Sequence, residues 1–129
     1  MTTKFAKTFI AQNSNSGLTF CYVSGCGTDS AERGKSMWAR VKGKTENELL
    51  RMFPGYAYMF RPGYMKPTKG QKSVLRFYFG WQLFYPVMKA LMPRFTCTLK
   101  DIALAMINCS LRGFNKNVLE VKDIINASG

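Results

Sequence analysis

Two short apolar runs, LTFCYVS at residues 18 to 24 and YAYMF at 56 to 60, bracket a stretch whose apolar residues recur every three or four positions. That arrangement constrains the fold more than any other feature of the chain. Both runs are rich in aromatic residues, and the first is apolar nearly throughout, as expected of a parallel-sheet strand covered on both faces. Between them, Ser36 can cap a helix in which Met37, Val41, Thr45, Leu49 and Met52 share one side. Lys42 with Glu46, and Lys44 with Glu48, have the spacing of ion pairs on its wet side. Pro54-Gly55 ends the helix, and Arg61-Pro62-Gly63 closes the second run. Strand, helix and parallel strand form a βαβ unit, whose crossover is almost always right-handed.

The remainder of the chain extends the same pattern. Residues 2 to 12 carry Phe5, Phe9 and Ile10 at helical spacing, and NSNSG follows as a stop and turn. Residues 73 to 92 are apolar almost all round, with Pro86 placed to break or kink a helix, which predicts two short buried helical pieces. A membrane-facing surface is the alternative there. Thr98 and Asp101 have capping-box spacing and open a helix with Leu99, Ile102, Ala103 and Met106 on one side and Gly113 as its stop. NVLEV, at 117 to 121, adds a short strand.

At 129 residues the chain has the length of one domain with its own core. It has no histidine, which removes the commonest general base and any Ser-His or Cys-His nucleophile pair. Cys21, Cys26, Cys97 and Cys109 lack paired metal-ligand spacing and read as small apolar residues in a reducing cytoplasm. No secretory signal opens the sequence, and the longest apolar run, residues 77 to 88, is short of the ~20 residues a membrane span needs. The expectation is a soluble, cytoplasmic protein. The net charge is +12, and residues 49 to 100 hold nine Lys or Arg, no acid and twelve aromatics. Such a stretch is either a solubilising basic surface or a face for nucleic acid or anionic lipid.

Two groups of residues are candidates for chemistry. Gly25-x-Gly27-x-x-Ser30 follows a strand and is trailed by Glu46, imitating a dinucleotide fingerprint. Its third position is serine, and several residues intervene before Ser36, so the helix N-terminus would miss the pyrophosphate. A turn in which Asp29 or Ser30 bonds the local backbone is the better reading. The second group is Ser24, at the carboxyl end of a strand, with Trp38 and Lys42 one helical turn apart. Ligands of open α/β sheets gather at that end, so the three can share a crevice. From the residues alone, Trp38 also fits a core position, Lys42 a solvated partner of Glu46, and Ser24 a strand-end cap.

YVSGCGTDS, MWARVKGKTENELL, AYMFRPGYMKP and TLKDIALAMINCSLRG followed by NVLEVKDI together resemble the carboxyl-terminal half of an atypical short-chain dehydrogenase/reductase of the NAD(P)-dependent epimerase/dehydratase type. The resemblance runs from the first strand to the last. It implies a partial doubly wound, Rossmann-like parallel sheet whose amino-terminal half is missing. It implies that Ser24 holds a substrate oxygen, and that Lys42 hydrogen-bonds ribose hydroxyls and keeps a neighbouring phenol's pKa down. The backbone of Arg61, Pro62 and Gly63 would pass near a nicotinamide. Trp38 stands where the family has its tyrosine acid, and indole N–H does not ionise in the useful range. Tyr22 or Tyr64 would have to substitute.

In the family the phosphate-binding glycines and the residue that reads the adenosine ribose precede the first element seen here. The resemblance therefore implies NAD or NADP in a complete relative, and weak or no dinucleotide binding by this chain alone. It also leaves the strand at 18 to 24 with an open edge, suited to a complementary chain or a second copy, unless the gene product is truncated. A small-molecule substrate is expected.

Overall fold

The computed structural model describes residues 1–12, 17–66 and 96–129. In chain order the elements are α1 (Thr2–Gln12), β1 (Phe20–Val23), α2 (Met37–Met52), β2 (Ala57–Arg61), β3 (Tyr64–Lys66), β4 (Thr96–Thr98), α3 (Leu99–Arg112), β5 (Val118–Glu120) and α4 (Val121–Ser128). β1, β2 and β5 form a three-stranded parallel sheet in that order, with helices on both faces. The chain is thus mixed α/β, and β1-α2-β2 is the parallel unit that the spacing of the apolar runs predicts. The expected helical pieces within 73 to 92, with Pro86, lie outside the described residues.

β2 organises the interior because side chains alternate across a strand. Ala57 and Met59 join Ala6, Leu49 and Phe53 on the α1 and α2 side. Tyr58 and Phe60 join Ile102, Cys109, Leu119 and Ile124 on the α3 and α4 side. Every residue of β2 is therefore buried. Tyr58 also accepts the Phe114 N–H on its hydroxyl at 3.1 Å, which gives the polar tip of a buried ring a partner.

β1 departs from the expectation of a strand covered on both faces: its residues are half-buried, and Val23 is exposed. The reason is its position. β2 borders one side of it, and no described strand borders the other. The short β3 and β4, paired in parallel, were not anticipated, because three residues give no periodicity to read.

Three helix faces also depart from the apolar spacing. α1 buries Ala6 and leaves Phe5 and Ile10 exposed. α2 buries Ala39, Gly43, Glu46 and Leu49, leaving Met37 71% and Val41 59% exposed. α3 buries Ile102, Ala105 and Cys109, with Leu99 and Ala103 outside. In α2 the governing contact is with the loop before it: a Cβ on Gly43 would lie 1.7 Å from the Asp29 carbonyl oxygen. Ala39 and Gly43 mark the packed side where the loop crosses, and Met37 and Val41 turn outward. Both expected caps of α3 are present: the Thr98–Asp101 capping box, and Gly113, whose φ of +72° suits glycine.

Candidate functional site

The carboxyl ends of β1 and β2 meet the loop of residues 25 to 36 and the buried side of α2. Ser24 follows β1 directly and its N–H bonds the Phe60 carbonyl at 2.9 Å, so the ladder continues one residue past the strand. Its hydroxyl donates to Glu46 Oε1 and, at 3.3 Å, leans toward the Phe60 carbonyl. Glu46 is 1% exposed, which corrects its expected place on the wet side of α2 beside Lys42. Its partner is Arg61, whose Nε reaches Glu46 Oε1 at 3.1 Å and whose Nη2 reaches Oε2 at 2.5 Å. Arg61 also donates to Ser30 Oγ from Nη2 and to Glu120 Oε1 from Nη1, the latter at 3.1 Å. The Glu46 hydrogen bond raises the Arg61 pKa above its ordinary value against the opposing effect of burial, and Glu120 adds to it.

This network ties β1, β2, β5, α2 and the loop at one end of the sheet. Every donor of Arg61 used in it faces a protein oxygen, so the arginine side chain acts inward. Pro62 continues the backbone and accepts the Cys26 N–H at 2.8 Å, joining the two strand ends, while Gly63 leads into β3.

The loop folds upon itself. Asp29 Oδ1 accepts the Ala31 N–H at 3.0 Å and Oδ2 the Gly34 N–H at 2.6 Å, while Thr28 Oγ1 donates to the Gly25 carbonyl at 2.7 Å. The Gly34 bond, chiefly, holds the Asp29 carboxyl below its ordinary pKa. This is the Asx-type turn expected from the residues, and Ser36 caps α2 by accepting the Ala39 N–H at 3.4 Å. Glu46, spent on Arg61 and Ser24, is not placed to read a ribose as the fingerprint would require.

The other two candidate residues lie on the same side of the sheet. Trp38 is half exposed, and its ring passes so close to Gly25 that a Cβ there would meet Cη2 at 3.1 Å. Lys42 Nζ stands 5.3 Å from the centroid of the Tyr22 ring. Tyr22, two residues before Ser24, faces α2 as Ser24 does. Trp38 and Lys42 therefore flank the carboxyl end of β1, while the Ser24 hydroxyl turns to Glu46 instead of to either of them. The side chain of Tyr64 is outside what is described.

Sequence reasoning named Glu46 and Ser30 in other roles, as a partner of Lys42 and as a turn residue, and missed their bonds to Arg61; it did not single out Glu120 or Gly43. The available signal was the pair of small residues Ala39 and Gly43 four apart, which marks a close-packed helix side on which Glu46 follows three residues later. The bond to Glu120 depends on β5 pairing with β2 and had no local signal. Among the described residues, no group of histidine, cysteine and acidic side chains could hold a metal ion, and no helix is long and apolar enough to cross a membrane. Compared with known proteins, the chain matches no family model and no curated relative.

Proposed function

We propose that the chain carries the substrate-side half of an NAD(P)-dependent oxidoreductase-like or epimerase-like site on a doubly wound sheet, and turns over nothing by itself. The observation that supports it is the arrangement at the carboxyl end of β1: Ser24 at the strand terminus, Trp38 against Gly25 and Lys42 over Tyr22. In open α/β sheets this is where ligands sit.

The residues fit one end of a dinucleotide only. Lys42 is held by a ring face, an attraction of about 0.5 to 2 kcal/mol that a ribose hydroxyl can replace. The turn after β1 does not suit a pyrophosphate, because Asp29 already occupies the Ala31 and Gly34 N–H groups and Ser36 caps α2. A bound nicotinamide would supply the hydride chemistry. Trp38 would donate a hydrogen bond without transferring a proton.

A second reading, a non-catalytic binding module on the same scaffold, draws support from the Ser24 hydroxyl being committed to Glu46. One pair of measurements tests both. Titrating the protein with NADPH while following backbone and indole N–H signals should give weak, millimolar-range binding, with the largest shifts at Ser24, Gly25, Trp38 and Lys42. Micromolar affinity, or shifts confined elsewhere, would refute the half-site reading. Trp38→Tyr in a complete homologue, assayed for NADP-dependent oxidation of a panel of alcohols, separates the two: a gain of activity favours a reductase with a disabled acid, and none favours the binding module.

A further inference from the structure

We infer that the ligand group received at Ser24 is a hydrogen-bond donor, an alcohol or an amide N–H, and not a carbonyl oxygen. The inference rests on the crevice reading above and names its ligand class. A serine hydroxyl has one proton and two lone pairs. Both protein groups that Oγ meets are acceptors, the Glu46 carboxylate and the Phe60 carbonyl. The oxygens of Glu46 accept from Arg61 Nε and Nη2, so the proton shared with Ser24 comes from the serine. Ser24 then has only lone pairs to offer outward.

Turning the hydroxyl toward a ligand carbonyl would exchange a charge-assisted bond, made to a carboxylate that is 1% exposed, for a neutral one about half as strong. A ligand that donates keeps the existing bond and adds another. Glu46 is in this sense a positioning residue: it sets the polarity of Ser24 without touching the ligand.

Cyclohexanol and cyclohexanone, alike in size, serve as probes, each titrated while the amide signals of Ser24 and Gly25 and the indole signal of Trp38 are followed. The alcohol should shift them at roughly one tenth the concentration of the ketone, the factor expected when one charge-assisted bond must be broken. In Ser24→Ala the two midpoints should converge; in Ser24→Thr, which keeps the hydroxyl, they should stay apart. Equal midpoints in the native protein, or a lower one for the ketone, would overturn the inference while leaving the crevice intact. If neither probe shifts these signals at any concentration, the crevice reading fails and the inference falls with it.

Discussion

Arg61 has two acidic partners of unequal weight. Glu46 is buried with it, whereas the Glu120 side chain is 51% exposed and its contribution is screened by water. Glu46→Ala would leave a guanidinium buried without its main counter-ion, a loss of about 3 to 5 kcal/mol in unfolding free energy. Glu46→Leu combined with Arg61→Met should recover most of it, because the pair is costly to desolvate and an apolar replacement is not. Urea unfolding of the three variants checks this, and a double variant no better than the single one would show that the network is needed as such. The cysteines make a second residue-level test. Burial, with the Asp101 charge adding to it, pushes the Cys97 thiol up to about 11, and burial followed by Cys21 does the same for Cys109. Cys26 is exposed in the loop. Since the thiolate is the reactive form, iodoacetamide at pH 8 should label Cys26 well before Cys97 and Cys109. Peptide mass mapping over time gives the order, and early loss of Cys97 would contradict the burial.

At the scale of elements, the strands and caps were legible and the helix faces were not. β1, α2, β2, α3 and β5 fall where their runs and caps place them, because an aromatic-rich run between turn residues or a Ser/Thr cap is a local signal. The buried side of α2 depends on where the loop of residues 25 to 36 crosses it, and Gly43 against the Asp29 carbonyl is a contact between chain segments that apolar spacing does not report. The candidate site divides in the same way. Trp38 and Lys42 reach the end of β1 as their helical spacing suggested, whereas the Glu46–Arg61 pair required knowing which side of α2 faced inward. The cap of α3 gives an element-level prediction. Thr98 Oγ1 accepts the Asp101 N–H at 3.1 Å while Asp101 Oδ2 accepts the Thr98 N–H at 2.8 Å. Thr98→Ala should cost about 1 kcal/mol, read from the urea midpoint, and Thr98→Ser much less. Equal losses in the two variants would point to the methyl group and away from the cap.

At the scale of the molecule, β2 is enclosed by helices on both faces and by strands on both sides, whereas among the described residues β1 has a strand on one side only. An uncovered apolar strand is a site for association, and the ligand site proposed at Ser24 depends on β1 ending the sheet among the described residues. Amide hydrogen exchange along β1 tests that placement most directly. The Phe20 N–H bonds the Tyr56 carbonyl and the Ser24 N–H bonds the Phe60 carbonyl, so by strand alternation the N–H groups of Phe20, Tyr22 and Ser24 point toward β2, and those of Cys21 and Val23 point to the other side. The account predicts slow exchange at Tyr22 and Ser24 and fast exchange at Cys21 and Val23. Equal protection at all four, persisting on dilution, would mean that β1 has a neighbour on its outer side within the same chain, and would contradict the half-sheet on which the proposed function rests.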